Sequence, residues 1–221
     1  MKLLIIEATV TMSLTPKLAL ATAGGGSAIT GGIIYSQISS KTSISELIKQ
    51  EGKTILLSGT SEKGDWGAAW KTYKTSNNPW KLDVTGEEAT QAFKDACKSR
   101  SEVPIKDSSD KRFQEIKSWC TRNLTVSEWL QKEGIQILKK GDSADKWNKA
   151  WGSYKGASVN KKEGSQPADN DVWGTSDWST QKNQNTPSDK FKEKCEEKAK
   201  VKVADTSSED FQRVKAWCWS K

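Results

Sequence analysis

The sequence predicts a mainly α-helical protein: an N-terminal transmembrane or signal-anchor helix, then two tandem small helical repeats, each with one internal disulfide. Three observations predict it. A stretch carrying Phe93, Cys97, Phe113, Trp119 and Cys120 returns, at one constant offset, as Phe191, Cys195, Phe211, Trp217 and Cys218. Apolar and aromatic residues recur three and four apart, so they share one helix face. A run without charge, Leu18 to Ser40, lies upstream of both copies.

The bulk numbers bound the answer. At 221 residues the chain has room for one or two small domains. Hydrophobic residues make up 34%, lean for a core, but eleven Trp offset this because each can bury a large area. The net charge of +7 is spread over 35 basic and 28 acidic residues. Without a basic block, no nucleic-acid partner is expected. The chain has no His, which removes the commonest general base and the commonest metal ligand together.

In chain order, residues 1–17 read as a short tail and 18–38 as the membrane helix. About 20 apolar residues span a bilayer. The glycines of the run are tolerated there, since Ala21/Gly25 and Ala28/Gly32 are small residues at a spacing that lets helices approach. Lys17 marks the cytoplasmic side and Tyr35 suits the opposite interface. Two alternatives stand beside this: a cleaved signal peptide, with Ala19 to Ala23 supplying cleavage sites, and a buried soluble helix. The lipid bilayer is thus an expected partner, and the body is secreted if the segment is cleaved.

The first repeat spans 42–122 and the second 123–221. Each opens on a capping-box pattern, Ser43 with Glu46 and Thr125 with Glu128, and its first helix should stop at Gly52 or Gly134. The apolar runs Ile55 to Leu57 and Ile135 to Leu138 are too short to separate a strand from an extended tie. Trp66, Trp70 and Tyr73 stand at i, i+4 and i+7, as do Trp147, Trp151 and Tyr154. Such a stripe normally faces inward. The third helix carries Phe93 and Cys97 (Phe191 and Cys195), the fourth Phe113, Ile116 and Cys120 (Phe211, Val214 and Cys218). Thr206 and Glu209 form a further capping-box pattern before the last helix. Only Thr121 to Leu124 separates the copies, so they should lie side by side. The second copy is 17 residues longer between Lys155 and Phe191, and this polar insertion around 156–189 reads as a surface loop. Trp173 and Trp178 interrupt it, and Trp80 is a counterpart of one of them. They read either as exposed ligand contacts or as plugs that pin the loop to the body.

Four cysteines allow three pairings. The duplication selects Cys97–Cys120 and Cys195–Cys218, each 23 residues apart and inside its own copy. On the chain-entropy argument each bridge contributes ~3 kcal/mol. Disulfides fit an oxidising exterior, in agreement with the upstream hydrophobic run. Free buried thiols, a four-Cys zinc site and a nucleophilic Cys are the alternatives; the last two lack a C-x-x-C pair and a His partner.

The segment Met12 to Ala19 with the Ala/Gly-rich run after it, Lys49 to Gly52 with Leu56 and Leu57, Trp70-x-x-Tyr73-Lys74, and the closing Trp119-Cys120 and Trp217-Cys218 together resemble uncharacterised paralogous surface-protein families of the haemotropic mycoplasmas. The resemblance implies a surface protein of a wall-less bacterium living on red cells, with antigenic variation. It also implies tryptophans encoded by UGA and brings no catalytic or binding residues. Met1 to Thr11 departs from the usual start, which points to Met12 as the initiator.

No phosphate-loop, dinucleotide-binding, zincin or nucleophile-elbow motif is present, so neither cofactor nor metal is expected. Three functions compete. The first is a membrane-anchored extracytoplasmic protein with a recognition or antigenic role, its partners host surface molecules or antibodies. The second is a sugar- or nutrient-binding module using exposed Trp, with Trp173 and Trp178 as its contacts. The third is an extracytoplasmic hydrolase, which needs two carboxylates roughly 5–9 Å apart across one cleft; enzymatic activity is not expected.

Overall fold

The computed structural model describes residues 41–219. The tail at 1–17 and the anchor expected at 18–38 lie outside the described residues. Among the described residues no helix is long and apolar enough to cross a membrane.

Two copies of one helical unit follow each other. The first holds β1 (Thr42–Ser43), α1 (Ile44–Glu51), β2 (Thr54–Leu56), α2 (Lys63–Lys74), α3 (Gln91–Ser101), β3 (Pro104–Ile105), α4 (Lys111–Trp119) and β4 (Thr121–Asn123). The second holds α5 (Val126–Lys132), α6 (Ala144–Gly156), α7 (Trp178–Gln181), α8 (Asp189–Ala199) and α9 (Glu209–Trp217).

Local chemistry sets the helix ends. Ser43 accepts from the Glu46 amide at 3.2 Å, satisfying an orphan donor of the first turn. Gly52 closes α1 at φ 62°, in the left-handed region that glycine enters without a Cβ penalty. In α5 the box is complete: Thr125 caps the Glu128 amide, and the Glu128 carboxylate accepts from the Thr125 amide at 2.8 Å. The box expected at α1 forms only its first half, because Glu46 accepts from Gln50 instead. In α5 Arg122 holds Glu128 back over the start of the helix with two bonds of 2.8 Å. The box expected at Thr206 and Glu209 is a correction. Ser208 caps α9 through the Phe211 amide, while the Thr206 carbonyl accepts from Gln212. Asp205 folds the preceding turn onto Ser207, which moves the cap two residues along.

The two short apolar runs separate. In the first copy β2 pairs antiparallel with β4, Ile55 opposite Arg122. In the second copy Ile135 to Leu138 is an extended tie. Both runs share one bond: Leu57 donates to the Cys120 carbonyl at 2.8 Å, Leu138 to that of Cys218 at 2.9 Å.

Each copy has its own core. In the first, Trp66, Trp70, Tyr73 and Trp80 close over Phe93 and the sulfur atoms; in the second, Trp147, Trp151, Tyr154, Trp173 and Trp178 do so over Phe191. Apart from those of Trp178, the aromatic contacts correspond ring for ring, the Trp70–Phe93 centroids lying 5.1 Å apart and the Trp151–Phe191 centroids 5.0 Å. Within the second copy Val126 donates to the Val201 carbonyl, as Ile44 donates to that of Val103 in the first. The copies meet where Lys132 donates to the Gly52 carbonyl and Lys202 to Asp65.

Candidate functional site

The cysteines define the frame of each copy. Cys97 joins Cys120 and Cys195 joins Cys218, with Cα–Cα distances of 5.5 and 5.6 Å. All four are buried. The bridges tie α3 to α4 and α8 to α9. The helical spacing expected of Phe93/Cys97 and Phe191/Cys195 is what aims each sulfur at the same core as the ring before it.

The reading of Trp173 and Trp178 as exposed ligand contacts is corrected: both rings are buried, with 6% and 2% of their surface exposed. Trp173 meets Tyr154, Phe191 and Trp217, the set of contacts that Trp80 makes with Tyr73, Phe93 and Trp119. Trp178 has no equivalent in the first copy. Its edge packs on Trp151 and Tyr154, and its indole N–H donates to the Ala168 carbonyl at 2.9 Å. A large apolar ring with one polar atom is stable inside when that atom finds a partner, as here.

A polar residue at the base of the insertion completes this arrangement. Asp171, 7% exposed, accepts from the Tyr154 hydroxyl, from the Thr175 amide at 2.7 Å and from the Thr175 hydroxyl. Burial, with the Asp171 carboxylate beside it, pushes the Tyr154 phenol far above its ordinary value. In the first copy the neutral Asn78 does the same work, accepting from Tyr73 at 2.6 Å and from the Leu82 amide at 2.8 Å. Asn160, fully buried, ties the other end: it donates to the Tyr154 carbonyl and accepts from the Val172 amide. From this base the chain turns outward. Lys161 bridges Pro167, and Lys162 donates to the Gln166 carbonyl at 2.8 Å, leaving residues 162–166 in solvent. Val159 beside them is 50% exposed, the one exposed large hydrophobic among the described residues.

Among the concave surfaces of the described residues, two border the first copy. A cleft of about 910 Å³ lies between the loop after β2 and α3; Trp66, Gln91, Lys94, Asp95, Lys98 and Glu102 are on its walls. A groove of about 570 Å³ separates α1 and β2 of the first copy from α5 of the second. Beside it runs a cluster of charges that joins the copies. Asp65, 7% exposed, receives Lys202 and lies 3.5 Å from the Arg122 guanidinium, while Lys202 also lies 3.6 Å from Glu62. The Arg122 guanidinium beside Glu128 holds its carboxyl down to about 2. The sequence reading missed this cluster. A signal was present: Asp65 stands where the second copy has Lys146, a reversal of charge beside the matched Trp66 and Trp147. Among the described residues no group of His, Cys, Asp or Glu is placed to hold a metal ion.

No protein-family model, no curated protein and no solved structure matches this chain.

Proposed function

We propose that this chain is a membrane-anchored extracytoplasmic recognition protein whose contact surface is the insertion of the second copy, around Val159 and residues 162–166. The observation that carries the reading is the way that tip is held. Its base is fixed by Asn160, Asp171, Trp173 and Trp178 inside the core, while its outer residues are polar and solvated apart from Val159. A contact loop on a rigid base binds with a smaller ordering cost than a floppy one. The first copy is the same scaffold without the tip. The extracytoplasmic side is supported by the two buried disulfides, which persist in oxidising compartments. Membrane attachment through 18–38, and a host molecule or antibody as partner, rest on the sequence and its resemblance.

Proteolysis of intact cells, with mass mapping of the released peptides without reduction, tests the placement. The expected result is release from intact cells of peptides joined through Cys97–Cys120 and Cys195–Cys218. Release only after lysis overturns it. Replacing residues 162–166 by a Gly-Gly turn tests the contact surface: binding to host cells or antibodies should fall, and unchanged binding argues against this role.

A second reading, a sugar- or nutrient-binding module, is favoured by the 910 Å³ cleft, whose side chains both donate and accept hydrogen bonds. It moves the contacts from Trp173 and Trp178 to Gln91, Lys94 and Asp95, since Trp66 at 6% exposure is as buried as Trp173. Glycan binding lost on Gln91→Ala together with Asp95→Ala would favour it.

A further inference from the structure

We propose that the groove between the two copies binds a free alkyl monocarboxylate of medium chain length, a fatty acid in its monomeric form. The inference does not rest on the recognition reading. The walls are aliphatic, formed by Ile48, Ile55, Leu56 and Leu124. A volume of about 570 Å³ lies within the range of small-molecule sites. An alkyl chain gains from such walls in proportion to the apolar area it removes from water.

The charges at the mouth choose the head group. Lys132 stands on the α5 side and Lys49 on the α1 side. The Lys132 ammonium donates to the backbone carbonyl of Gly52 and lies 5.3 Å from the Trp129 ring centroid. No carboxylate lies within ion-pair reach of it among the described residues, so a full positive charge rests on neutral acceptors. Gly52, without a Cβ, leaves room for this approach. Lys49 has only Glu46, at 4.0 Å and largely in solvent. The one acid lining the groove, Glu128, is already taken by Arg122 through two bonds of 2.8 Å. The mouth is therefore cationic above an apolar floor. The Lys132 ammonium has three N–H donors and gives one to Gly52, so a carboxylate at the mouth can accept another and form an ion pair that no neutral acceptor supplies. A neutral chain of equal length gains the walls alone.

Titration of the full chain with dodecanoate below its micelle concentration, followed by calorimetry, tests the proposal. One equivalent should bind saturably, and dodecanol should bind about tenfold more weakly. Lys132→Met, which keeps the apolar stem and removes the charge, should weaken dodecanoate by a similar factor. Gln131→Trp should abolish binding by filling the mouth. Both side chains are exposed, so neither substitution disturbs a core. Adsorption to the hydrophobic run at 18–38 would survive both changes. The proposal is overturned if no saturable binding is found, or if either substitution leaves the affinity unchanged.

Discussion

The first copy closes its aromatic core with the short link Thr75 to Thr90; the second closes the same core with a far longer one. The rings do not register the difference. Trp80 and Trp173 occupy one position, and Asn78 and Asp171 both receive the tyrosine hydroxyl. Even the backbone is matched: Lys81 sits at φ 54° after Trp80, and Gly174 at φ 60° after Trp173. The second copy has put glycine where the left-handed conformation strains a side chain. One partner was not preserved. The Trp80 indole donates to Glu115 at 3.3 Å, but the matching residue in the second copy is Arg213, and the Trp173 indole N–H has no acceptor. The comparison teaches that insertion is tolerated where the buried ring and the carboxyl or amide beneath it are kept, because these two anchor the link in both copies.

The sharpest way to break the equivalence is Trp178→Ala, a residue with no counterpart in the first copy. It should cost ~3–5 kcal/mol, as for a fully buried Trp, and hydrogen exchange should show the loss confined to the second copy. Replacing one disulfide at a time, Cys97→Ser with Cys120→Ser against Cys195→Ser with Cys218→Ser, should cost ~3 kcal/mol in each case. The two loops have the same separation of 23, so melting curves should fall equally. Asp171→Ala should cost ~1–3 kcal/mol by leaving the Tyr154 hydroxyl and the Thr175 amide without their acceptor. Asp171→Asn, which copies Asn78, should recover most of that loss in urea titrations. Arg213→Glu should return an acceptor to Trp173 and stabilise by about 1 kcal/mol, whereas Glu115→Arg should destabilise by a similar amount.

The smallest effect concerns the joint between the copies. The Glu128 carboxyl is held down to about 2 by Arg122, against an ordinary value of 4.5. A depressed carboxyl stabilises the folded state fully above its unfolded value, and that contribution fades as pH falls from about 4.5 toward 2. The pair is partly exposed, so solvent screening keeps it under ~1 kcal/mol. Glu128→Gln should lower stability by under ~1 kcal/mol near neutral pH and flatten the profile across that acid window, where the two proteins converge.

How much of this was legible beforehand follows from range along the chain. Helix faces, stop glycines and the cysteine pairing depend on neighbours within one or two turns or on the duplication itself, so residues such as Trp70, Gly52 and Cys97 declared their roles. The half-formed cap at Glu46 and the shifted cap at Ser208 were not readable from the box pattern alone, since Gln50 engages the Glu46 carboxylate and Asp205 folds the turn before Ser208. Whether Trp173 and Trp178 faced solvent or core was open, because a polar loop can hide a ring only if the chain returns to a site prepared for it.

The sequence by itself determined the helical unit, its duplication and the sulfur bridges, since periodicity and repetition are written along the chain. Only the tertiary structure decided that the inserted tryptophans are anchors, that Asp65, Arg122, Glu128 and Lys202 join the copies, and that Lys132 stands above an apolar groove. Those facts depend on residues as far apart as Asp65 and Lys202 meeting in space. Their energy comes from burial and from charge at close range, which no local pattern encodes.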